Sequence, residues 1–191
     1  MSVIPISHGE RIDEPRTLGQ RGTERNSGWR DGGAVMARPM FGKVETLGPW
    51  TAHIQAMDQA LLGNDPGESV RAWRQAYSAA LSHPGWLGLL TVANASLRLA
   101  AFPGLARDAA ARARETYWIA FFRARQQRSL NGVLHAAEAF GMLGDRSTVE
   151  QCMRVAEGLA SRAGDADELG RVRLIAARLA EQAGQEERSE V

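Results

Sequence analysis

The residues able to do chemistry in this sequence are few and scattered. His53, His83 and His135 lie far apart, and none has a second ligand at metal spacing such as the i, i+4 histidines of HExxH. They read as hydrogen-bonded or partly exposed structural side chains. Cys152, the only cysteine, falls on an apolar stripe and reads as a small core residue rather than a nucleophile. Asp165, Asp167 and Glu168 form a carboxylate cluster. They open a helix, where the free amides and the helix dipole favour negative charge, so capping accounts for them. Glycine is frequent, yet GWLG and NGVL do not make a phosphate loop. There is no GxxxxGK(S/T), and no GxGxxG after a strand. With no nucleophile–base pair and no metal set, the expectation is a protein that is not an enzyme and needs no cofactor.

Arginine supplies the one charge feature that asks for a function. Arg107, Arg112, Arg114, Arg123, Arg125 and Arg128 crowd one stretch, and Arg107 and Arg114 share a helix face. Arg107, Arg114 and Arg125 could bind phosphate or an acidic partner; the alternative is a solvated helix surface. Lys43 is the only lysine, and the formal net charge is +1. Nucleic acid usually meets a domain with a stronger basic excess, so a nucleic-acid-binding module stands behind other readings.

The elements that must position these residues are helices. Residues 103–127 (PGLARDAAARARETYWIAFFRARQQ) look like the central one. Pro103 suits a first helical turn, and Tyr117, Trp118, Ile119, Ala120, Phe121 and Phe122 form an apolar run too broad for one stripe. It is expected to be buried on several sides, with Trp118 in the core. Ile54, Met57, Leu61 and Leu62 give a helix over 51–62, with Trp50 and Ile54 as a hydrophobic staple. Asp65, Pro66 and Glu68 open a second helix, whose stripe runs from Val70 through Trp73 and Ala76 to Leu81. A third is expected over 86–101. Ser129 caps a fifth over 130–143, and Gly144-Asp145 makes the next turn. Ser147 with Glu150, and Asp165 with Glu168, read as capping boxes for a sixth helix and for a seventh over about 169–182.

Residues 1–46 contrast with this pattern. Pro5, Pro15, Pro39, the pair Gly32-Gly33 and aperiodic apolar residues predict a flexible arm. Trp29 within it is either a plain exposed side chain or a docking anchor, and Met36 could be the translation start. The expected layout is an arm over 1–46, a helical domain over 47–184 and a frayed tail over 185–191. The N-terminus has no apolar h-region, and no run approaches the ~18 apolar residues of a membrane helix. One cysteine allows no internal disulfide, so a cytoplasmic setting is expected.

The stretch LHAAEAFGMLGDRSTVEQCMRVAEGLA resembles a tetratricopeptide (TPR) repeat. Gly144-Asp145 fits the turn of that family, Ala137 and Phe140 the small and aromatic places of the first helix, and Ala156 the small place of the second. Val149 and Ser161 depart from the pattern. Earlier helices fit more loosely: Ile54, Leu90 and Val133 lie 36 and 43 residues apart, against a family period of about 34. The resemblance implies an all-α solenoid of three antiparallel helix pairs plus a C-terminal capping helix. It also implies a groove lined by Gln55, Gln59, Thr91, Arg98, Asn131 and Glu138. The family's basic clamp for a C-terminal carboxylate is absent. The expected function is an adaptor or scaffold binding a protein segment; the alternative is a structural or regulatory subunit of a larger complex.

Overall fold

The computed structural model describes residues 48–189. The arm over 1–46, with Trp29 and Met36, lies outside the described residues. Among the described residues seven α-helices follow one another: α1 (Thr51–Leu62), α2 (Pro66–Ser82), α3 (Leu87–Leu97), α4 (Ala106–Gln126), α5 (Leu130–Met142), α6 (Arg146–Ala163) and α7 (Ala166–Ser189). A short 3₁₀ turn, Arg98–Ala101, extends α3. Among the described residues there is no strand. Each helix packs against the next, and α3, α5 and α7 also touch in succession.

Local chemistry explains most of the boundaries. The Asp65 carboxylate accepts from the Glu68 amide at 2.9 Å, and Pro66 occupies the first position of α2. Ser129 accepts from the Gly132 amide at 3.1 Å to start α5. Three elements differ from expectation. Pro103 does not open α4; it sits in the turn before it, and the helix begins at Ala106. The cap of α6 is Asp145, which accepts from the Thr148 amide at 3.3 Å, two residues before the expected Ser147. Asp165 caps α7 as expected, but the helix starts at Ala166 and continues through Ser189.

A 40-residue recurrence runs through these pairs. α2, α4 and α6 begin at Pro66, Ala106 and Arg146. The turns before them hold Asn64, Gly104 and Gly144, all with left-handed φ of 55°, 86° and 68°. At Asn64 and Gly144 the chain makes paired closing bonds: Asp65 N–H to Ala60 O and Asn64 N–H to Leu61 O, then Asp145 N–H to Phe140 O and Gly144 N–H to Gly141 O. Buried small residues repeat in step. Ala76, Thr116 and Ala156 are one set, and Ala80, Ala120 and Ala160 another. Small side chains there let the even-numbered helices approach their neighbours closely.

The core is one cluster that includes Met57, Leu89, Leu90, Tyr117, Phe121, Leu134 and Phe140. Two polar groups of the core are satisfied across helices: Trp73 Nε1–H donates to Val92 O at 3.0 Å, and the Tyr117 hydroxyl donates to Asn94 Oδ1. The buried Trp50 Nε1 and Arg178 Nε, by contrast, have no hydrogen-bond partner among the described residues. Close approach is enforced at Gly132, where a Cβ would lie 2.6 Å from the Ala124 Cβ and 2.7 Å from the Trp86 ring. The apolar run of α4 divides by face. Tyr117, Ala120 and Phe121 are buried, Trp118 and Ile119 are half-buried, and Phe122 is 47% exposed. The helix is covered by α3, α5 and the 3₁₀ turn, as expected of so broad an apolar run, but these neighbours leave open the side that carries Phe122.

Candidate functional site

The open side of α4 leads into a cleft. Mid-α4, Arg114 Nε lies 3.3 Å from Asp145 Oδ2 at the start of α6. At the other end, Arg125, Gln126 and Arg128 share a cavity of about 300 Å³ with Arg154, Val155, Gly158, Leu159 and Arg162 of α6. The two helices thus run side by side in the same direction. Four arginines line the cavity, and among the described residues no Asp or Glu lines it. Among the described residues Arg154 lies 3.9 Å from Glu150, an exposed pair one turn along α6. Val155 and Leu159 supply an apolar wall.

Trp118, Phe122 and Arg125 follow at i, i+4 and i+7, so the aromatic pair lies on the face of α4 that ends at the cleft. Trp118 and Phe122 stack with ring centroids 5.6 Å apart. Two backbone features of the cleft run against local preference. Arg128 holds a left-handed φ of 52° at the end of α4, where glycine or asparagine is usual. Gly158 sits inside α6, where glycine weakens a helix, and a Cβ there would meet nothing within 4 Å.

The arginines expected to form one patch are separated. Arg107 is exposed in the first turn of α4, Arg114 is engaged by Asp145, and Arg125 lines the cleft. Arg112 lies over the Trp73 ring at 5.4 Å. Arg123 donates to Leu81 O at 2.7 Å and to His83 O, closing the end of α2, while Gln127 Nε2–H donates to Pro84 O at 2.8 Å. Arg154 and Arg162 were not singled out by sequence. They lie beyond the α4 series, and only the side-by-side course of α4 and α6 brings them to it.

The expected groove residues lie on the odd-numbered helices and their 3₁₀ extension, and several are bonded across them. Gln55 and Gln59 are exposed on α1. The Thr91 hydroxyl donates to Leu87 O at 2.9 Å. Arg98 donates to both Asp58 oxygens, at 2.9 and 3.1 Å. Asn131 accepts from Arg171, and Glu138 accepts from Arg178 and lies 3.2 Å from His135 Nδ1. Asp58, Arg98, Glu138 and Arg178 stand at successive 40-residue places, alternating acid and base. Burial alone would raise the Glu138 carboxyl, but His135 and Arg178 together hold it below the ordinary glutamate range.

Cys152 is fully buried in α6, and burial pushes its thiol up to about 12, which leaves it unreactive at neutral pH. Among the described residues no group of His, Cys, Asp and Glu is placed to hold a metal ion, and no helix is long and apolar enough to cross a membrane. Compared with known proteins, the chain matches no protein-family model and no curated protein.

Proposed function

We propose that this chain is a helical-repeat interaction module, an adaptor that binds a segment of another protein and carries out no chemistry itself. The observation that supports it is the 40-residue recurrence of left-handed turn, helix start and buried small residues. Each helix pair has an apolar side it cannot bury alone, and stacking such pairs yields a solenoid with long faces for a partner. The likeness to TPR repeats lies in the helix pairing and the Gly144-Asp145 turn, although the period here is longer than about 34 residues. α7 completes the stack by covering α5 and α6. A reducing, cytoplasmic setting belongs to the same proposal, supported by a single cysteine that is free and buried.

The experiment is site-specific photo-crosslinking in the native cell, with the photoreactive residue at Gln55, Gln59 or Phe122, all exposed. The expected result is a discrete adduct with one protein from at least one of these faces, mapped by mass spectrometry to a short segment. Adducts with no protein other than this chain, from any position, would overturn the proposal.

A further inference from the structure

We infer that the cleft between α4 and α6 is the binding site for an acidic protein segment, one whose carboxylates sit beside an aromatic or aliphatic side chain. The inference rests on the reading of the chain as a protein-binding module and names the partner's chemistry. Charge is the first argument. Arg125, Arg128, Arg154 and Arg162 all line a cavity of about 300 Å³ that no carboxylate among the described residues lines. Like charges held together repel, and an incoming polyanion removes that repulsion. Guanidinium groups also match carboxylates by two parallel hydrogen bonds, which fixes orientation as well as charge.

The second argument is the apolar lining. Val155 and Leu159 wall the cavity, and Trp118 and Phe122 lead up to it along α4. Phosphate backbones have no use for aliphatic walls, whereas an acidic segment with an apolar residue uses both surfaces. The third argument is local. Arg128 takes a left-handed backbone that favours glycine, and Gly158 takes a helix position that favours any other residue. Arg128 adds a cation to the rim. Gly158 keeps the α6 wall open, so a partner can approach its backbone. Both departures meet at one cavity, as departures made for binding would.

The test is fluorescence anisotropy of the full chain with a labelled synthetic peptide rich in Asp and Glu and carrying one Phe and one Leu. Its amide counterpart (Asn and Gln replacing the acids) and a single-stranded oligonucleotide of similar charge are run beside it. The acidic peptide is expected to bind, to weaken steeply with salt and to exceed both competitors. Arg125→Glu and Gly158→Leu are each expected to weaken it by about 10-fold or more, and Arg71→Glu, a charge reversal on α2, to leave it unchanged. A Cβ at position 158 meets nothing within 4 Å, so Gly158→Leu is expected to keep the fold while its longer side chain fills the cleft; Arg125→Glu is an independent check at an exposed site. Equal affinity for the amide peptide, wild-type affinity in both variants, or preference for the oligonucleotide would each overturn the inference. Crosslinked protein captured equally by wild type and both variants would remove the cleft assignment alone. Capture of no protein at all would remove the module reading with it.

Discussion

Arg128 is the residue at which stability and the proposed binding pull apart. A left-handed backbone costs a non-glycine L-residue about 1–2 kcal/mol, and the closing bonds of α4 need that conformation there. Arg128→Gly is therefore expected to raise stability by about 1 kcal/mol in urea unfolding while weakening acidic-peptide binding. A variant that loses both stability and binding would show that the side chain serves the fold. The aromatic run of α4 gives a second contrast. Phe121 is fully buried between its neighbours, and Phe121→Ala is expected to cost about 3–5 kcal/mol. Phe122 is half-exposed, and Phe122→Ala should cost under about 1 kcal/mol. Trp118, half-buried against Phe140 and Phe121, should fall between them. Equal losses at Phe121 and Phe122, by the same measurement, would mean that α4 is covered on both sides. Run composition indicated a buried helix, but only the placement of α3 and α5 decides which ring is inside.

At the scale of elements, α7 buries Val172 and Leu179, the latter beside Gly141 of α5, and is tied to α5 by the bonds from Arg171 and Arg178. The Glu138 carboxyl in that contact lies below its unfolded value. Its contribution to stability is thus present above the unfolded carboxylate range and lost as pH falls through the lower folded value. Glu138→Gln should lower the urea midpoint at neutral pH and make the decline on acidification shallower than in wild type. Parallel curves for the two proteins would deny the coupling. Helix existence was legible in the sequence because Asp65, Pro66, Ser129 and Gly144 are strong local signals. Register was not. Ile54, Leu90 and Val133 are each the fourth residue of α1, α3 and α5, and those helices themselves start 36 and 43 residues apart, which concealed the period of 40 kept by the even-numbered helices. The turns at Asn64, Gly104 and Gly144 carry that period, and Pro103-Gly104 was legible as a helix start rather than a turn. The α6 cap moved for a related reason: Asp145 ends one turn and begins the next helix, a double use that Ser147 obscured.

For the whole molecule, the repeat places the odd-numbered helices in one series and brings α4 and α6 alongside one another. The first series exposes Gln55 and Gln59 but bonds Arg98, Asn131 and Glu138 internally. The second pair leaves arginines around a cavity. That cavity was half legible: Arg125 and Arg128 stood out on α4, whereas Arg154 and Arg162 are ordinary charges on an amphipathic helix until α6 is laid beside α4. The central claim is that protein segments bind this cleft and not the odd-helix groove. Its most direct measurement is a backbone and side-chain NMR titration of the full chain with the acidic peptide. The expected result is shifts concentrated at Arg125, Arg128, Arg154, Gly158 and Arg162 and at the Trp118 indole, with Gln55, Gln59 and Thr91 unmoved. Shifts confined to Gln55, Gln59, Thr91 and Asn131, with the cleft silent, would contradict it.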